Sequence, residues 1–260
     1  MKSLKIGLCL FMMISIMAGC TRIGKKENAK DKGIETGKVI DNMTANADQS
    51  ITYSVYLPKK YNDSIVYPVI IAFDPQGSGN LPVAMYKDLA EKYGYILAGS
   101  NNSKNGLDAN AIMNAITRMI TEVKQRFNVD TTRIYTLGFS GGARVAVIAA
   151  FNPGGIISVT GSGAGFPNTG AAFPYPFDYL GIAGTYDFNM HELLMLDDYL
   201  DQAQIHHGLL LFNGTHEWPP FDVMEKSFQW NDFSAIRHKR MDKNDQEISN
   251  YKSKQDSLLM

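Results

Sequence analysis

A serine at the apex of a glycine-rich turn is the residue of this chain best suited to chemistry. Residues 138–142 read Gly-Phe-Ser-Gly-Gly, between a predicted strand and a predicted helix. This order of strand, sharp turn and helix holds Ser140 in a strained, positive-φ conformation that exposes its hydroxyl. Gly138 and Gly142 remove the Cβ atoms that would clash where strand and helix pass each other. The pattern predicts a nucleophilic serine, and a phosphate-binding loop is disfavoured because its lysine is missing.

A serine nucleophile needs a base, and His216 is the histidine best placed to supply it. It follows the last predicted strand, residues 208–212, and so lies on a loop at the carboxyl end of that strand. Prolines at 219 and 220 rule out a zinc-binding H-E-x-x-H helix here, so we predict a general base. The other histidines lie at a strand entry, in a predicted helix or in the charged C-terminal stretch: His191, His206, His207 and His238.

The acid that orients this base is expected between the serine and the histidine in sequence, and Asp187 fits that place. It follows the predicted strand 179–184, so it lies at the same edge of the sheet as His216. Asp187 is not needed as a helix cap, because Asn189 can cap the next helix with Glu192 as its capping-box partner. The remaining aspartates of this region precede the strand or lie within the helix, at 178, 197 and 198.

Strands and helices alternate along the chain. Residues 68–73 form a continuous apolar run, which is typical of a strand covered on both faces. This alternation predicts an α/β fold with a mostly parallel sheet, in which ligands bind beyond the carboxyl ends of the strands. Further strands are predicted at 51–57, 95–98, 134–137, 156–160, 179–184 and 208–212, and helices at 86–93, 112–127, 143–150 and 193–203.

Residues 51–233 resemble the α/β-hydrolases, in particular serine hydrolases of the esterase and polyhydroxyalkanoate-depolymerase-like branch. Five segments carry the resemblance: 73–77, 99–106, 138–142, 184–189 and 214–219. It implies the α/β-hydrolase fold, with a mostly parallel central sheet flanked by helices and no large cap domain. It also implies cleavage of a small-molecule or polymer carboxylic ester through a Ser-His-Asp triad and an acyl-enzyme intermediate, without a cofactor or a metal.

Two other functions stay open at this point. A serine peptidase uses the same triad, and a non-catalytic binding lipoprotein can be built on the same scaffold. A panel of ester and peptide substrates separates the first from an esterase, and a fluorophosphonate probe separates the second.

An oxyanion hole needs two backbone N–H groups aimed at the charge that develops on the carbonyl oxygen. Gly141, directly after the serine, is predicted to supply one of them. Many α/β-hydrolases carry His-Gly in the loop after the strand that ends here at residue 73, and Gln76-Gly77 is similar to it. This resemblance implies the N–H group of Ser78 as the second donor, with that of Gln76 as the alternative.

Aromatic side chains near the predicted triad are candidates for substrate contacts. Phe139 of the turn and Trp218, two residues after the base, are predicted to line the substrate pocket. Residues 163–177 add four more aromatic side chains. Rings on loops either stack on an aromatic or sugar group of the substrate or pack the loop against the domain, and both readings remain open.

The N-terminus resembles a bacterial lipoprotein signal. A basic start at 1–5 precedes an apolar run at 6–17, and small residues then lead to Cys20. The resemblance implies cleavage before Cys20 and lipidation of its thiol, so the protein is expected to be exported and anchored to a membrane of the cell envelope. The apolar run is too short to span a bilayer, which takes about 20 residues.

Composition and charge complete the expected organisation. We predict a signal peptide at 1–19, a flexible tether at 20–49, a hydrolase domain at 50–238 and a polar tail at 239–260. The net charge of −1 shows no basic bias, so nucleic acid is not expected as a partner. One of the two cysteines lies in the signal peptide, and the mature chain therefore has no internal disulfide.

Overall fold

The computed structural model describes residues 33–151, 155–167 and 176–243, together with residues 245 and 249. The predicted signal peptide, Cys20 and most of the predicted tail lie outside these ranges. No helix within them combines the length and the apolarity that a membrane crossing requires. In chain order the elements are β1 (Val39–Thr44), β2 (Thr52–Tyr56), β3 (Tyr67–Phe73), α1 (Asn80–Tyr93), β4 (Ile96–Ser100), α2 (Ala109–Arg126), β5 (Val129–Phe139), α3 (Gly141–Phe151), β6 (Ile156–Ser162), β7 (Asp178–Gly184), α4 (Met190–Gln202), β8 (His207–Phe212) and α5 (Phe221–Arg237).

The strands form one eight-stranded sheet in the order β1-β2-β4-β3-β5-β6-β7-β8. The first two pairings, of β1 with β2 and of β2 with β4, are antiparallel. The remaining pairings, from β4 through β3 and on to β8, are all parallel. The predicted α/β fold with a mostly parallel sheet is therefore confirmed. Within the described ranges, the connections between strands carry no inserted helical domain.

The sheet is covered on both faces, and β3 shows why its sequence is apolar throughout. Val69, Ile71 and Phe73 pack in one core cluster with apolar residues of α2 and α3. The alternate residues Ile70 and Ala72 pack in a second cluster with α1 and α5. Successive side chains of a strand point to opposite faces, so a strand between two helical layers needs apolar residues at every position.

Helix α2 shows how local sequence sets the helical layers. Asp108 accepts hydrogen bonds from the N–H groups of Asn110 and Ala111, at 2.9 and 3.1 Å, and so caps the first turn. Apolar residues at helical spacing, among them Ile116 and Val123, then bury one side of the helix against the sheet.

The first strand corrects the predicted start of the domain. We predicted a flexible tether over residues 20–49, and for β1 within it this is wrong, because β1 pairs with β2 along the edge of the sheet. Ile40 and Met43 both pack against the core cluster. The domain therefore begins before residue 50. At the other end, α5 ends at Arg237, next to the predicted limit at 238.

Candidate active site

The parallel strands bring the predicted site residues to one edge of the sheet. Strands β3 to β8 run in the same direction, so the loops that follow them all leave from the same edge. Ser140 follows β5, Asp187 follows β7 and His216 follows β8. Ser140 and His216 are 76 residues apart in the chain, and short loops are therefore enough to bring their side chains into contact.

The glycine-rich turn has the geometry that its sequence predicts. Ser140 adopts a φ of 52°, in the left-handed region that is strained for a residue with a side chain. A Cβ on Gly138 would overlap the carbonyl oxygen of Gly142, and a Cβ on Gly142 would overlap that of Phe73. Only glycine fits at these two positions, because β5, α3 and the end of β3 approach backbone to backbone. The strain and the crowding together project the serine hydroxyl outward.

The three predicted side chains form one continuous hydrogen-bonded chain. The hydroxyl of Ser140 donates to Nε2 of His216, with an Oγ–Nε2 distance of 3.0 Å. Nδ1–H of His216 donates to the carboxylate of Asp187, 2.9 Å from each oxygen. Asp187 is 6 % exposed, and the His216 side chain is partly buried. This geometry lets the imidazole take the serine proton while the carboxylate fixes its tautomer and stabilises its charged form.

Backbone contacts between the loops after β7 and β8 hold Asp187 beside His216. The N–H groups of Thr185 and Tyr186 donate to the carbonyl oxygens of Phe212 and Gly214, at 2.8 and 2.9 Å. A Cβ on Gly184 would overlap the same backbone. The sheet pairing of β7 and β8 thus continues past the last strand residue, and this fixes the distance between acid and base.

The predicted capping box of α4 is wrong, although Asn189 is the residue at its N-cap. Asn189 makes no side-chain cap hydrogen bond, and its Nδ2 donates instead to the carbonyl oxygen of Gly163, at 2.9 Å. The carboxylate of Glu192 pairs with Arg144 of α3 and accepts the N–H group of Gly165. Both side chains therefore fasten the loop after β6 to the site, which local sequence rules do not reveal.

The N–H groups predicted for the oxyanion hole differ in their hydrogen bonds. Gly141 is the first residue of α3, so its N–H group has no partner within the helix. The N–H groups of Gln76 and Ser78 both donate to Oδ1 of Asp74, at 2.8 and 3.3 Å. Asp74 is 2 % exposed and also accepts Nε1–H of Trp218, at 3.1 Å. In this structure the two loop donors thus serve a buried carboxylate.

Aromatic rings surround the imidazole. The Phe139 ring centroid lies 4.7 Å from that of His216, and Trp218 lies 5.4 Å from Phe139. Phe139 is buried against the base, and Trp218 is partly buried and contacts the loop after β3 through Asp74. The ring of Phe188, which our sequence analysis missed, lies 4.2 Å from His216 and is 76 % exposed. Its position next to the acid in the chain is the only sequence signal for it.

The described part of the chain was searched for side chains arranged to hold a metal ion. No group of three or more His, Cys, Asp or Glu side chains in those ranges has the spacing to hold a metal ion.

The sequence was compared with known protein families and curated proteins, and the fold was compared with solved structures. No protein-family model and no curated protein matches the sequence. Among solved structures, the Staphylococcus aureus fluorophosphonate-binding serine hydrolase FphF matches with a TM-score of 0.62 and 14% identity, over 75% of this chain and 98% of that one. A ferulic acid esterase matches at 0.61 and 15%, over 77% and 98% of the two chains. A truncated carbohydrate esterase from gut microbiota matches at 0.60 and 15%, over 78% and 99%.

The chain has the α/β-hydrolase fold. The eight-stranded, mostly parallel sheet with flanking helices superposes on these structures at TM-scores of 0.60 to 0.62, although the sequence identity is only 14% to 15%. The predicted fold class is confirmed.

Proposed function

We propose that this protein is a serine hydrolase of carboxylic esters. The observation that carries the proposal is the unbroken chain from Asp187 through His216 to Ser140, with both links within 3.0 Å. The serine also lies on a strained turn that exposes its hydroxyl. Fold neighbours that are described as a serine hydrolase and as esterases support the same reaction class.

The reaction follows from the positions of these groups. Oγ of Ser140 attacks the ester carbonyl carbon while its proton passes to Nε2 of His216. The tetrahedral intermediate collapses, and the imidazolium returns the proton to the leaving alcohol. Water then attacks the acyl-serine, and His216 again carries the proton from the water to Oγ as the carboxylic acid leaves. Asp187 orients the imidazole throughout, and the N–H group of Gly141 faces the developing oxyanion.

The surroundings of the triad favour a substrate with an apolar or ring-shaped group. The ring of Phe188 stands exposed beside the imidazole and offers a face on which such a group packs. We infer that small-molecule esters, or ester groups on a polymer, bind along this side of the site.

The reaction class is tested with an activity-based probe and one substitution. The purified protein is expected to react with a fluorophosphonate, and Ser140→Ala is expected to abolish labelling. The same substitution lowers kcat on a short-chain aryl ester on the order of 10⁴-fold or more, while the circular dichroism spectrum stays that of the wild type. Equal turnover by the wild type and the variant rejects Ser140 as the nucleophile.

A matched substrate panel decides between ester and peptide hydrolysis. Aryl esters and aryl amides with the same acyl group are compared under one set of conditions. We expect turnover of the esters and none of the amides. Preferential cleavage of peptide amides would support the serine peptidase, and no turnover together with no labelling would support a non-catalytic binding protein.

We also propose that the domain is exported and held at a membrane by lipid on Cys20. The signal-like sequence at 1–20 supports this location. Cys20→Ser is expected to move the protein from the membrane fraction to the soluble fraction, because firm attachment requires more than one acyl chain and this residue would carry them. A variant that fractionates like the wild type places the anchor elsewhere.

A further inference from the structure

In the loop after β3, the backbone N–H groups of residues 76–79 are all engaged within the protein and are not free for the oxyanion. An α/β-hydrolase site of this kind needs a second hydrogen-bond donor opposite Gly141. Pro75 has no N–H group, and the four residues after it all donate within the protein. The N–H groups of Gln76 and Ser78 donate to Oδ1 of Asp74. That of Gly77 donates to the carbonyl oxygen of Asp74, and that of Gly79 donates to Oδ1 of Asn101.

Asp74 holds these donors firmly. Its carboxylate is buried and is bound at Oδ2 by Nε1–H of Trp218, so it cannot turn toward water if it loses the loop N–H groups. A buried carboxylate that loses its hydrogen bonds is strongly destabilised. The negative charge of Asp74 also opposes an oxyanion that binds to the same N–H groups. A donor from another part of the chain is therefore needed.

The side-chain amide of Asn105 lies beside Gly141, the residue that follows Ser140. A Cβ built on Gly141 would overlap Oδ1 of Asn105 and lie 2.6 Å from its Nδ2, so the amide packs directly against the residue after Ser140. Its backbone N–H donates to the carbonyl oxygen of Pro75, at 2.9 Å, which ties it to the loop after β3. The Asn105 side chain is exposed to solvent, so its amide can turn toward a bound substrate.

The two asparagines that precede Asn105 keep its loop in place. Oδ1 of Asn101 accepts the N–H group of Gly79, at 2.9 Å. Asn102 accepts the N–H group of Thr52 at 2.8 Å and donates from Nδ2 to the carbonyl oxygen of Ser50 at 3.0 Å. The loop after β4 is thus fastened at both sides before it reaches Gly141. A donor on such a loop needs little reorganisation when charge develops, which is the condition for strong transition-state stabilisation.

We propose that the Asn105 side chain is the second oxyanion donor, acting opposite the N–H group of Gly141. This rests on the proposed ester hydrolysis. As Ser140 attacks, the carbonyl oxygen becomes negative beside the Asn105 amide. The two-fold torsion at the end of the asparagine side chain lets Nδ2 face that oxygen, and the negative charge selects this orientation. Asn105 is then a catalytic residue, and Ser78 and Gln76 act through Asp74 as structural supports of the loop.

The experiment compares Asn105→Ala and Asn105→Asp with the wild type on one aryl ester. We expect Asn105→Ala to lower kcat roughly 10²- to 10³-fold with a small change in KM, since the donor acts only in the transition state. Asn105→Asp keeps the shape but replaces the donor by a carboxylate, so it is expected to be at least as impaired. The affinity for a trifluoromethyl ketone, whose adduct carries an oxyanion, is expected to fall in parallel with kcat/KM.

Lys104→Ala, at the exposed neighbouring position, is the matched control and is expected to keep wild-type activity and melting temperature. Wild-type kcat/KM in Asn105→Ala, or an active Asn105→Asp, overturns the inference and returns the role to a backbone N–H group. A loss of activity without a loss of ketone affinity overturns it as well. If the wild type does not hydrolyse the ester, the proposed function fails and this inference fails with it.

Discussion

Two aspartates at opposite ends of β7 have different roles, although both are buried. Asp187, after the strand, binds His216 with both carboxylate oxygens. Asp178, the first residue of the strand, is fully buried and accepts hydrogen bonds from Ser234 and from the guanidinium of Arg237 on α5. One carboxylate thus serves the site, and the other fastens the last helix to the far edge of the sheet.

Asp187→Asn is expected to remove activity while the domain stays folded. The amide keeps the volume and one hydrogen bond, but it favours the wrong imidazole tautomer and does not stabilise the imidazolium. We expect kcat/KM on a short-chain aryl ester to fall roughly 10³- to 10⁴-fold at neutral pH. The exposed Asp198, changed to Asn, is the control and is expected to stay within a few-fold of the wild type.

Asp178→Asn is expected to show the opposite pattern. The substitution removes charge-assisted hydrogen bonds at a site that water does not reach. The free energy of unfolding, measured in urea, is therefore expected to fall by about 1.5–3 kcal/mol. The activity of the folded fraction is expected to remain within a few-fold of the wild type. An inactive but stable Asp178→Asn would mean that Asp178 supplies the acid.

Phe188→Ala tests whether the exposed ring beside the base contributes to catalysis. The ring packs against the imidazole of His216 and is itself largely exposed. An aromatic contact contributes about 0.5–1.5 kcal/mol, so kcat/KM is expected to fall roughly 2- to 10-fold. Tyr186→Ala is matched in exposure, on the other side of Asp187, and is expected to change kcat/KM little. Equal effects of the two substitutions would contradict a specific role for Phe188.

At the scale of the elements, the sequence predicts what depends on neighbours in the chain. The strand–turn–helix around Ser140 was predictable because its apolar runs and its glycines are local signals. The position of Asp187 was predictable because it directly follows an apolar run. The hydrogen bonds of Asp74 were not predictable, since they join the loop after β3 to the loop after β8. Contacts between distant segments leave no periodic pattern in the sequence.

Strand β1 was missed in the sequence analysis because a bulge hides its alternation of apolar and polar residues. The register with β2 shifts between Ile40 and Met43, where Asn42 adopts a φ of 51°. Such a bulge breaks the two-residue alternation that identifies a half-buried strand, so both apolar residues reach the same core cluster. Polar residues at the bulge then give the segment the composition of a linker.

Removal of β1 is expected to destabilise the domain. A variant that begins at residue 50 loses the contacts of Ile40 and Met43 with the core and leaves β2 as a bare edge. We expect the free energy of unfolding to fall by about 1–3 kcal/mol for this partial loss of apolar burial. The exposed edge is also expected to promote aggregation. A variant that begins at residue 33 is the control, and equal urea midpoints for the two would show that β1 is dispensable.

At the scale of the whole molecule, the candidate site and the attachment of the last helix lie at opposite edges of the sheet. The loops that carry Ser140, Asp187 and His216 leave the carboxyl edge of the sheet, while a charged cluster lies at the amino edge, where α5 ends. In this cluster His206 and His238 each lie 3.3 Å from the carboxylate of Asp178. The ring of His206 also stacks on Trp230, with centroids 5.0 Å apart. The stability of the contact between α5 and Asp178 therefore depends on the protonation of these two imidazoles.

Burial lowers the pKa of both His206 and His238, and the cations around them add to the effect. Asp178 does not reverse this direction, because its charge is already matched by Arg237. In the unfolded chain each histidine takes up a proton as the pH falls through about 6.5. In the folded protein each stays neutral to a lower pH. The unfolded state then binds more protons, so stability is present above about pH 6.5 and is lost as the pH falls below it.

The double variant His206→Asn and His238→Asn is expected to weaken this acid sensitivity. The melting temperature of the wild type should fall between pH 7.5 and pH 5.5, and that of the variant should fall less, whatever its value at pH 7.5. The change in melting temperature between the two pH values is the informative quantity, because the loss of the contacts with Asp178 lowers stability at both pH values alike. His191→Asn, at an exposed position on α4, is the control and is expected to keep the wild-type change. If the double variant keeps that change too, the acid sensitivity comes from carboxylates elsewhere, and the amino edge of the sheet is not its source.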